Sequence, residues 1–448
     1  MAAWSVRSLD RDEVGVMEAV HSWWTVRGEG EATSSEHRID VRFSPLVIHT
    51  NRNWKTAHSA STTRTNATFH VAVDGTEASS EVGLPPFKPG IYEGTAEDCR
   101  DLSIRFAYHF SFLLGTRVLA SGTTSACRET LNLAQKGGDG GGVGLAIEPA
   151  SERERILVTA LRALDGCAAS GRHPNAALAL VETAILRCLS RAMGTPVPSL
   201  LDVCGGHQGP VRCFYTVGMA ADRNLLAEDV RYGSGNTQFL KFKLDKDAEK
   251  ALEVFSALEA EGLLVVGRRT VAIDANCSWD PEFAMDFLAR LQKYLPHVYM
   301  IEQPFPFEMP FSEAAKVGAG WARFKDKCTE CGIVVYADES MRTSADVAAL
   351  RPYCHGVNIK LEKAGGYREA ARAWKACKAS GMGVWLGCMV GTALNCNVIV
   401  EILGLSDGSV DLDGFLLTSP GCQPCDPSFR LAEGPDGLKG CIEVKVAE

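Results

Sequence analysis

The sequence predicts an α/β protein: a C-terminal β/α barrel of seven or eight strands behind an N-terminal α+β domain. Three observations carry this reading. From residue 211 onward, short apolar strand candidates alternate with helical segments, at Arg212–Met219, Phe239–Leu244, Val271–Asn276, Val298–Gln303, Ile333–Glu339, Gly356–Leu361, Gly383–Cys388 and Val410–Phe415. They recur roughly every 22–36 residues, the rhythm of consecutive βα units. No glycine fingerprint follows a first strand, which favours a barrel over a doubly wound open sheet of the same local pattern.

Ahead of the barrel, Ile39–Ile48 and Asn66–Val73 alternate apolar and polar residues, and an Asp74-Gly75 turn leads into Glu81-Val-Gly-Leu-Pro-Pro86. That is the pattern of a small antiparallel sheet. The expected organisation is an extension of uncertain order over 1–38, with a short helix around Val14–Trp24, then an α+β domain over 39–200. The barrel follows over 201–430, and a tail over 431–448 packs back on the α+β domain. Residues 95–200 are mainly helical by periodicity, interrupted by the glycine run of 136–144. This run lacks the Gly-Lys-Ser/Thr ending of a phosphate loop and no strand precedes it, so it reads as a loop. The segments around 95–175 and 305–332 read as insertions available for oligomer contacts.

The 448 residues carry 46 Lys+Arg against 55 Asp+Glu, a net charge of −9. An acidic chain does not offer the clustered cations that nucleic-acid binding requires. No apolar run reaches the ~20 residues of a membrane span. The N-terminus has no signal-peptide core, and its Asp10, Asp12, Glu13 and Glu18 do not fit an acid-poor transit peptide. The expectation is a soluble, cytosolic protein that contacts neither nucleic acid nor membrane. The 16 cysteines are scattered through apolar segments, where reduced Cys behaves as a small hydrophobe. Cys328/Cys331 and Cys422/Cys425 have metal-like spacing, but about ninety residues separate the pairs, so they read as unrelated thiols rather than a zinc ribbon.

In a β/α barrel the catalytic groups lie at the C-terminal ends of the strands. Here those ends carry Lys241-Phe-Lys243, Asp274-Ala-Asn276, Glu302-Gln-Pro304, Asp338-Glu-Ser340, Asn358-Ile-Lys360 and Asp411-Leu-Asp413. A solvated rim is also charged, so the order matters more than any one residue: cation, three anions, cation, anion pair. Three neighbouring carboxylates repel one another unless neutralised, and a hard divalent cation such as Mg²⁺ takes oxygen ligands of this kind. The flanking lysines put one amine on each side of a substrate held there. This suits removal of a proton next to a carboxylate, with the enediolate's charge spread onto the cation and a lysine of lowered pKa as base. One lysine takes the proton, the other returns one from the opposite face, and the carbon is inverted.

Lys241-Phe-Lys243, Asp274-Ala-Asn276, Ile301-Glu-Gln-Pro304, Ala337-Asp-Glu-Ser340 and Asn358-Ile-Lys-Leu-Glu-Lys-Ala-Gly-Gly366 resemble the barrel motifs of the enolase superfamily, for which lysine bases and Mg²⁺-stabilised enediolates are established. The lysine-bearing sixth strand is similar to its muconate lactonizing enzyme subgroup. The resemblance covers about residues 39–430, and Ala57–Ser61 and Gly83–Pro86 look like the loops that close over such sites. It implies that Asp274, Glu302 and Asp338 hold one Mg²⁺ per subunit, that Lys243 and Lys360 are the acid/base pair, and that Lys241 assists the substrate carboxylate. It also implies an oligomer.

Asp411-Leu-Asp413 is similar to the Asp-x-Asp motif with which dipeptide epimerases hold the substrate's α-ammonium. Electrostatics agree, because two carboxylates at the mouth are unfavourable unless a cation arrives. The bland alternative makes them turn and cap residues before Gly414. Thr216, Cys388 and Met389 line the pocket by position or else pack the barrel. In Lys55-Thr-Ala-His-Ser59, the position where Ala-Glu epimerases carry an arginine is Ser59, next to His58, with Arg52 or Arg64 as other sources of charge. The expected activity is epimerisation at the C-terminal residue of a dipeptide whose second side chain is neutral or apolar. The alternatives are an N-acylamino acid racemase or o-succinylbenzoate synthase of the same superfamily, and a barrel that binds metal without turnover.

Overall fold

The computed structural model describes residues 3–7, 24–32, 35–55, 60–114, 117–120, 145–146, 148–203, 206–219, 222–311 and 315–445. The chain forms two compact units: Met1–Ile48 with Arg64–Cys204 and Ala364–Arg368, and His49–Thr63 with Gly205–Lys363 and Glu369–Glu448. Among the described residues, no helix is long and apolar enough to cross a membrane.

The first unit is built on a six-stranded sheet of β1 (Ala3–Arg7), β2 (Trp24–Ala32), β3 (Ser35–Lys55), β4 (Ala60–Val73), β5 (Thr76–Val82) and β6 (Arg117–Ala120), in the order β5-β4-β3-β2-β1-β6. The expected β4–β5 hairpin turns at Asp74-Gly75, whose φ angles of 49° and 80° are the left-handed pair that a tight two-residue hairpin needs. The expected N-terminal extension contributes two strands, β1 and β2, the latter pairing with β3 from Trp24↔Phe43 to Ala32↔Ser35. Trp24 opens β2; the rest of the expected helix over Val14–Trp24, and the glycine run of 136–144, lie outside the described residues. Capping boxes start the helices Ala96–Leu113 (Thr95, Asp98) and Glu152–Ser170 (Ser151, Glu154). The helix Asn175–Met193 is apolar nearly all round, and its buried Glu182 accepts from Arg368 Nε at 2.6 Å.

The second unit is the barrel. Its strands are β7 (Arg212–Cys213), β8 (Tyr215–Val217), β9 (Leu240–Lys243), β10 (Val271–Asp274), β11 (Val298–Glu302), β12 (Val334–Ala337), β13 (Gly356–Ile359), β14 (Gly383–Gly387) and β15 (Ser409–Asp411). All pair in parallel, each to the next unit along the chain, as βα crossovers dictate. β7 and β8 are one strand interrupted at Phe214: β7 pairs with β15 and β8 with β9, so eight strands close on themselves. The interrupting Phe214 is buried, with its ring 5.0 Å from that of Trp385 and 5.4 Å from that of Phe239.

Two expectations change here. Residues 305–332 hold the helix Ala315–Glu330 between β11 and β12, which is the crossover two parallel neighbours require rather than an insertion. The tail forms a hairpin of β16 (Phe429–Glu433) and β17 (Lys439–Val444), and β17 pairs antiparallel with β7 at Cys441↔Arg212. The described part of the tail thus lies with the barrel unit instead of the α+β domain, because β7 offers its edge to it.

Candidate active site

Strand register brings the carboxylates and lysines together. Lys241 and Lys243 are two residues apart on β9, so both face the same side. Lys243 pairs in register with Asp274, and Asp274 with Glu302, across three adjacent strands. Asp338 and Lys360 follow one residue after β12 and β13. Alternate strands of a barrel share a layer, and Lys241, Glu302, Asn358 and Asp411 form one from β9, β11, β13 and β15. Within it, Lys241 Nζ donates to Glu302 Oε2 at 3.0 Å and to Asp411 Oδ2, while Asn358 Nδ2 donates to Glu302 Oε1 at 2.6 Å.

The triad shares Glu302 with this layer and adds Asp274 and Asp338 from the neighbouring strands. Asp274, Glu302 and Asp338 are buried, and one carboxylate oxygen of each lies within 4.8 Å of the others. Lys243 Nζ donates to Asp274 Oδ2, and Lys360 Nζ to Asp338 Oδ2 at 2.8 Å. The backbone is shaped to present these groups. Asn276 and Cys277, after β10, and Gln303, after β11, have φ angles of 45°, 66° and 37°, a sharply turned conformation that non-glycine residues rarely adopt. Gln303 then fixes the next ligand loop: its Oε1 accepts from the N–H groups of Asp338 at 2.9 Å and Ser340 at 3.0 Å. Asn276 donates from its own N–H to Asp274 Oδ1 at 2.9 Å and from Nδ2 to Glu339 Oε1 at 3.1 Å.

The formal charges do not balance. Six buried carboxyl groups (Asp274, Glu302, Asp338, Glu339, Asp411, Asp413) meet four buried lysines (Lys241, Lys243, Lys360, Lys363), a formal excess of two negative charges when all are ionised. Burial and the neighbouring Asp274 push Glu302 above the usual carboxylate range, and burial with Asp338 and Asp274 pushes Glu339 up to about 7. Burial would also raise Asp338 and Asp274, but Lys360 and Lys363 hold the first well below its ordinary value and Lys243 and Lys241 lower the second. Burial alone would lower both Lys241 and Lys360. The carboxylates outweigh it: Asp411, Glu302 and Asp274 hold Lys241 well above its usual range, and Asp338, Asp411 and Glu302 do so for Lys360. Positive charge placed among these carboxylates would oppose that upward push, the direction expected of a lysine base. A compact set of buried oxygen donors with a formal excess of negative charge fits a hard divalent cation. Among the described residues, this is the one group of His, Cys, Asp or Glu side chains placed to hold a metal, and neither cysteine pair belongs to such a group.

At the eighth strand, Asp413 Oδ2 accepts from the Thr216 N–H at 2.5 Å, and its Oδ1 lies 3.9 Å from Cys388 Sγ. Asp411 Oδ1 is buried without a hydrogen-bond partner. Burial raises both aspartates above their ordinary values, and for Asp413 the charge of Asp411 adds to it. Gly387 is required beside them, since a Cβ there would come within 2.5 Å of Asp411 Oδ1 and 2.6 Å of Asn358 Oδ1. Thr216 and Cys388 thus reach the site through Asp413, and Met389 is buried just after β14. His58 and Ser59 lie outside the described residues, as does the Arg52 side chain; Arg64 is buried in the first unit. Sequence reasoning gave no role to Lys363, Asn358, Gln303 or Asn276. The signal for Lys363 was its position three residues after Lys360, which a helical turn brings back beside Asp338.

The site is thus a parallel barrel with a buried Asp/Glu/Asp triad, placed to hold a metal ion, between two lysine-bearing strands. Residues 225–435 match the family described as Enolase C-terminal domain-like. The chain is similar to an enolase superfamily member of Dictyostelium discoideum, 28% identical over 86% of this chain and 90% of that protein. It is 30% identical to the L-Ala-D/L-Glu epimerase of Bacteroides thetaiotaomicron over 55% of this chain, a match that spans 58% of that relative. The dipeptide epimerase of Enterococcus faecalis, solved with Mg and the dipeptide L-Leu-L-Tyr, has the same fold, with a TM-score of 0.64 at 17% identity over 91% of this chain and 97% of that one. The family match covers the barrel segment of the chain, and the structural likeness extends the shared fold to nine-tenths of it.

Proposed function

We propose that the protein is a Mg²⁺-dependent dipeptide epimerase that inverts the α-carbon of the C-terminal residue. The observation that carries this reading is the placement of Lys243 against Asp274 and Lys360 against Asp338, one on each side of a buried triad that includes Glu302. Asp274, Glu302 and Asp338 would hold the cation, which when bound stabilises charge developing on the substrate carboxylate and offsets the field that keeps Lys360 protonated. Lys243 and Lys360 then exchange the α-proton on opposite faces, one as base and the other as acid. Lys241 holds Glu302 and Asp411 in place beneath them.

The free oxygen of Asp411 supports a substrate that arrives with a cationic donor, as the α-ammonium of a dipeptide does. An uncharged N-acyl group leaves that oxygen unpaired, which disfavours the racemase and synthase alternatives. Relatives named as epimerases of L-Ala-D/L-Glu and of hydrophobic dipeptides are consistent with this substrate class.

The test incubates purified protein with Mg²⁺ and a pooled L,L-dipeptide library in D₂O and reads mass. Uptake of one deuterium at the α-carbon of C-terminal residues is expected, and it identifies the preferred dipeptides. Uptake into N-succinyl or N-acetyl amino acids alone moves the activity to the racemase class. No uptake in either set overturns the epimerase reading.

A further inference from the structure

Lys363 is the lysine of this cluster without a part in the chemistry proposed above. It lies on a single helical turn, Leu361–Ala364, directly after Lys360, and its side chain is 1% exposed. Its ammonium donates to Asp338 Oδ1, to the Asp338 carbonyl and to the Asn358 carbonyl, the last at 3.2 Å. These contacts hold it inside the protein, bridging the loop after β12 to the end of β13. Lys363 therefore does not reach a substrate; it acts on Asp338.

The Asp338 carboxylate is divided between two lysines. Lys360 takes Oδ2 at 2.8 Å and Lys363 takes Oδ1. The two bonds differ in what surrounds them. Lys360 has one carboxylate partner among its hydrogen bonds, whereas Lys363 grips the side chain and the main chain of the same residue. An aspartate gripped at Oδ1 and at its own carbonyl has no freedom to turn, so it can offer a cation Oδ2 but not both oxygens at once.

That difference bears on which cation fits. Ca²⁺ accepts bidentate carboxylates and six to eight ligands in flexible geometry, whereas Mg²⁺ requires a near-ideal octahedron and single oxygens from each carboxylate. We propose that Lys363 is a positioning residue that restricts Asp338 to one ligand oxygen and thereby selects a small octahedral divalent cation over Ca²⁺. The proposal rests on the triad as the metal site of the proposed function, but not on the identity of the substrate.

Calorimetric titration of the metal-free full chain with Mg²⁺ and, separately, Ca²⁺ tests it without reference to turnover. Lys363→Met keeps the length and apolar stem of the side chain and removes the donors. Removing a cation beside the triad strengthens the binding of both ions, so the informative quantity is the ratio of the two dissociation constants. In Lys363→Met that ratio is expected to move at least tenfold toward Ca²⁺. Lys363→Gln, which retains one N–H donor, should fall between wild type and Lys363→Met and serves as the reporter if Lys363→Met does not fold. A ratio unchanged in the folded variants, with both affinities shifted by a common factor or by none, overturns the proposal. Failure of the wild-type chain to bind Mg²⁺ would overturn the metal reading instead, and lack of epimerisation with a shifted ratio would overturn the substrate reading alone.

Discussion

The strand Leu240–Lys243 and the segment Asn358–Lys363 each bring two lysines to the triad, by different local geometry. On β9 the pair is two residues apart in extended chain, so both side chains face inward at different depths. After β13 the pair is three residues apart across a helical turn, so both converge on one aspartate. The outcome is the same division of labour. One lysine of each pair is locked: Lys241 between Glu302 and Asp411, Lys363 against Asp338, with side chains 2% and 1% exposed. The other, Lys243 or Lys360, keeps 9% or 7% exposure beside a single triad carboxylate. A proton-transferring amine must approach its substrate and change charge, and a structural one must do neither. In the proposed chemistry, the locked lysine of each pair leaves its more exposed partner free to do so.

The largest effects should come from removing the two less buried lysines. Lys243→Ala and Lys360→Ala should each lower epimerisation by about 10²–10⁴-fold, the range of general acid–base catalysis. Each variant should still exchange the α-proton of one epimer in D₂O, and the surviving epimer should be opposite in the two. If both variants lose exchange with the same epimer, the two-sided comparison is broken.

A smaller but measurable loss should follow from Lys241→Met. It leaves Glu302 and Asp411 as uncompensated buried charges and should destabilise the fold by about 3–5 kcal/mol, read by denaturant unfolding. Wild-type stability in this variant would mean that the deeper lysine of β9 is not locked in the sense of Lys363.

The smallest effect lies in the scaffold of the Asn358–Lys363 side alone. His355 precedes β13, its Nδ1 accepts from the Val335 N–H of β12 at 2.9 Å, and its Nε2 lies 2.8 Å from Thr329 Oγ1. Burial, and then Lys325, lower its pKa below the usual 6.5. The native state thus binds this proton less readily than the unfolded chain. Its stabilising contribution is complete above about pH 6.5 and is lost as pH falls toward the lowered native value. Thermal unfolding from about pH 8 to about pH 5 should show Tm declining on the acid side, with a shallower decline in His355→Gln.

The barrel was legible because strand, helix and turn repeat with one period, and each strand candidate became a strand or the end of one. The triad and Lys241, Lys243 and Lys360 were legible for the same reason, since parallel strands put their C-terminal residues at one mouth. Lys363 was not: a lysine on a helical turn looks like a solvated surface residue until the chain is seen to fold it inward. Gln303 and Asn276 were hidden because their work depends on left-handed backbone at the strand ends, which non-glycine residues do not advertise. The hairpin of residues 429–444 was misplaced because an apolar, alternating tail reveals its pairing partner only once the sheet edge is known.

The interruption of the first barrel strand at Phe214 also bears on how the chain is made. Residues 212–213 await partners at 409–410 and 441, 197 and 229 residues further along the chain, while 215–217 pair at once with the next strand. During synthesis the nascent barrel is therefore an open, curved sheet whose first edge stays unpaired until the last βα unit emerges. Long-range pairing of this kind is slow and leaves strand edges exposed to other chains. Damage to β15 or to the terminal hairpin should thus be felt first as aggregation of newly made protein, ahead of any loss in the catalysis of molecules that do close.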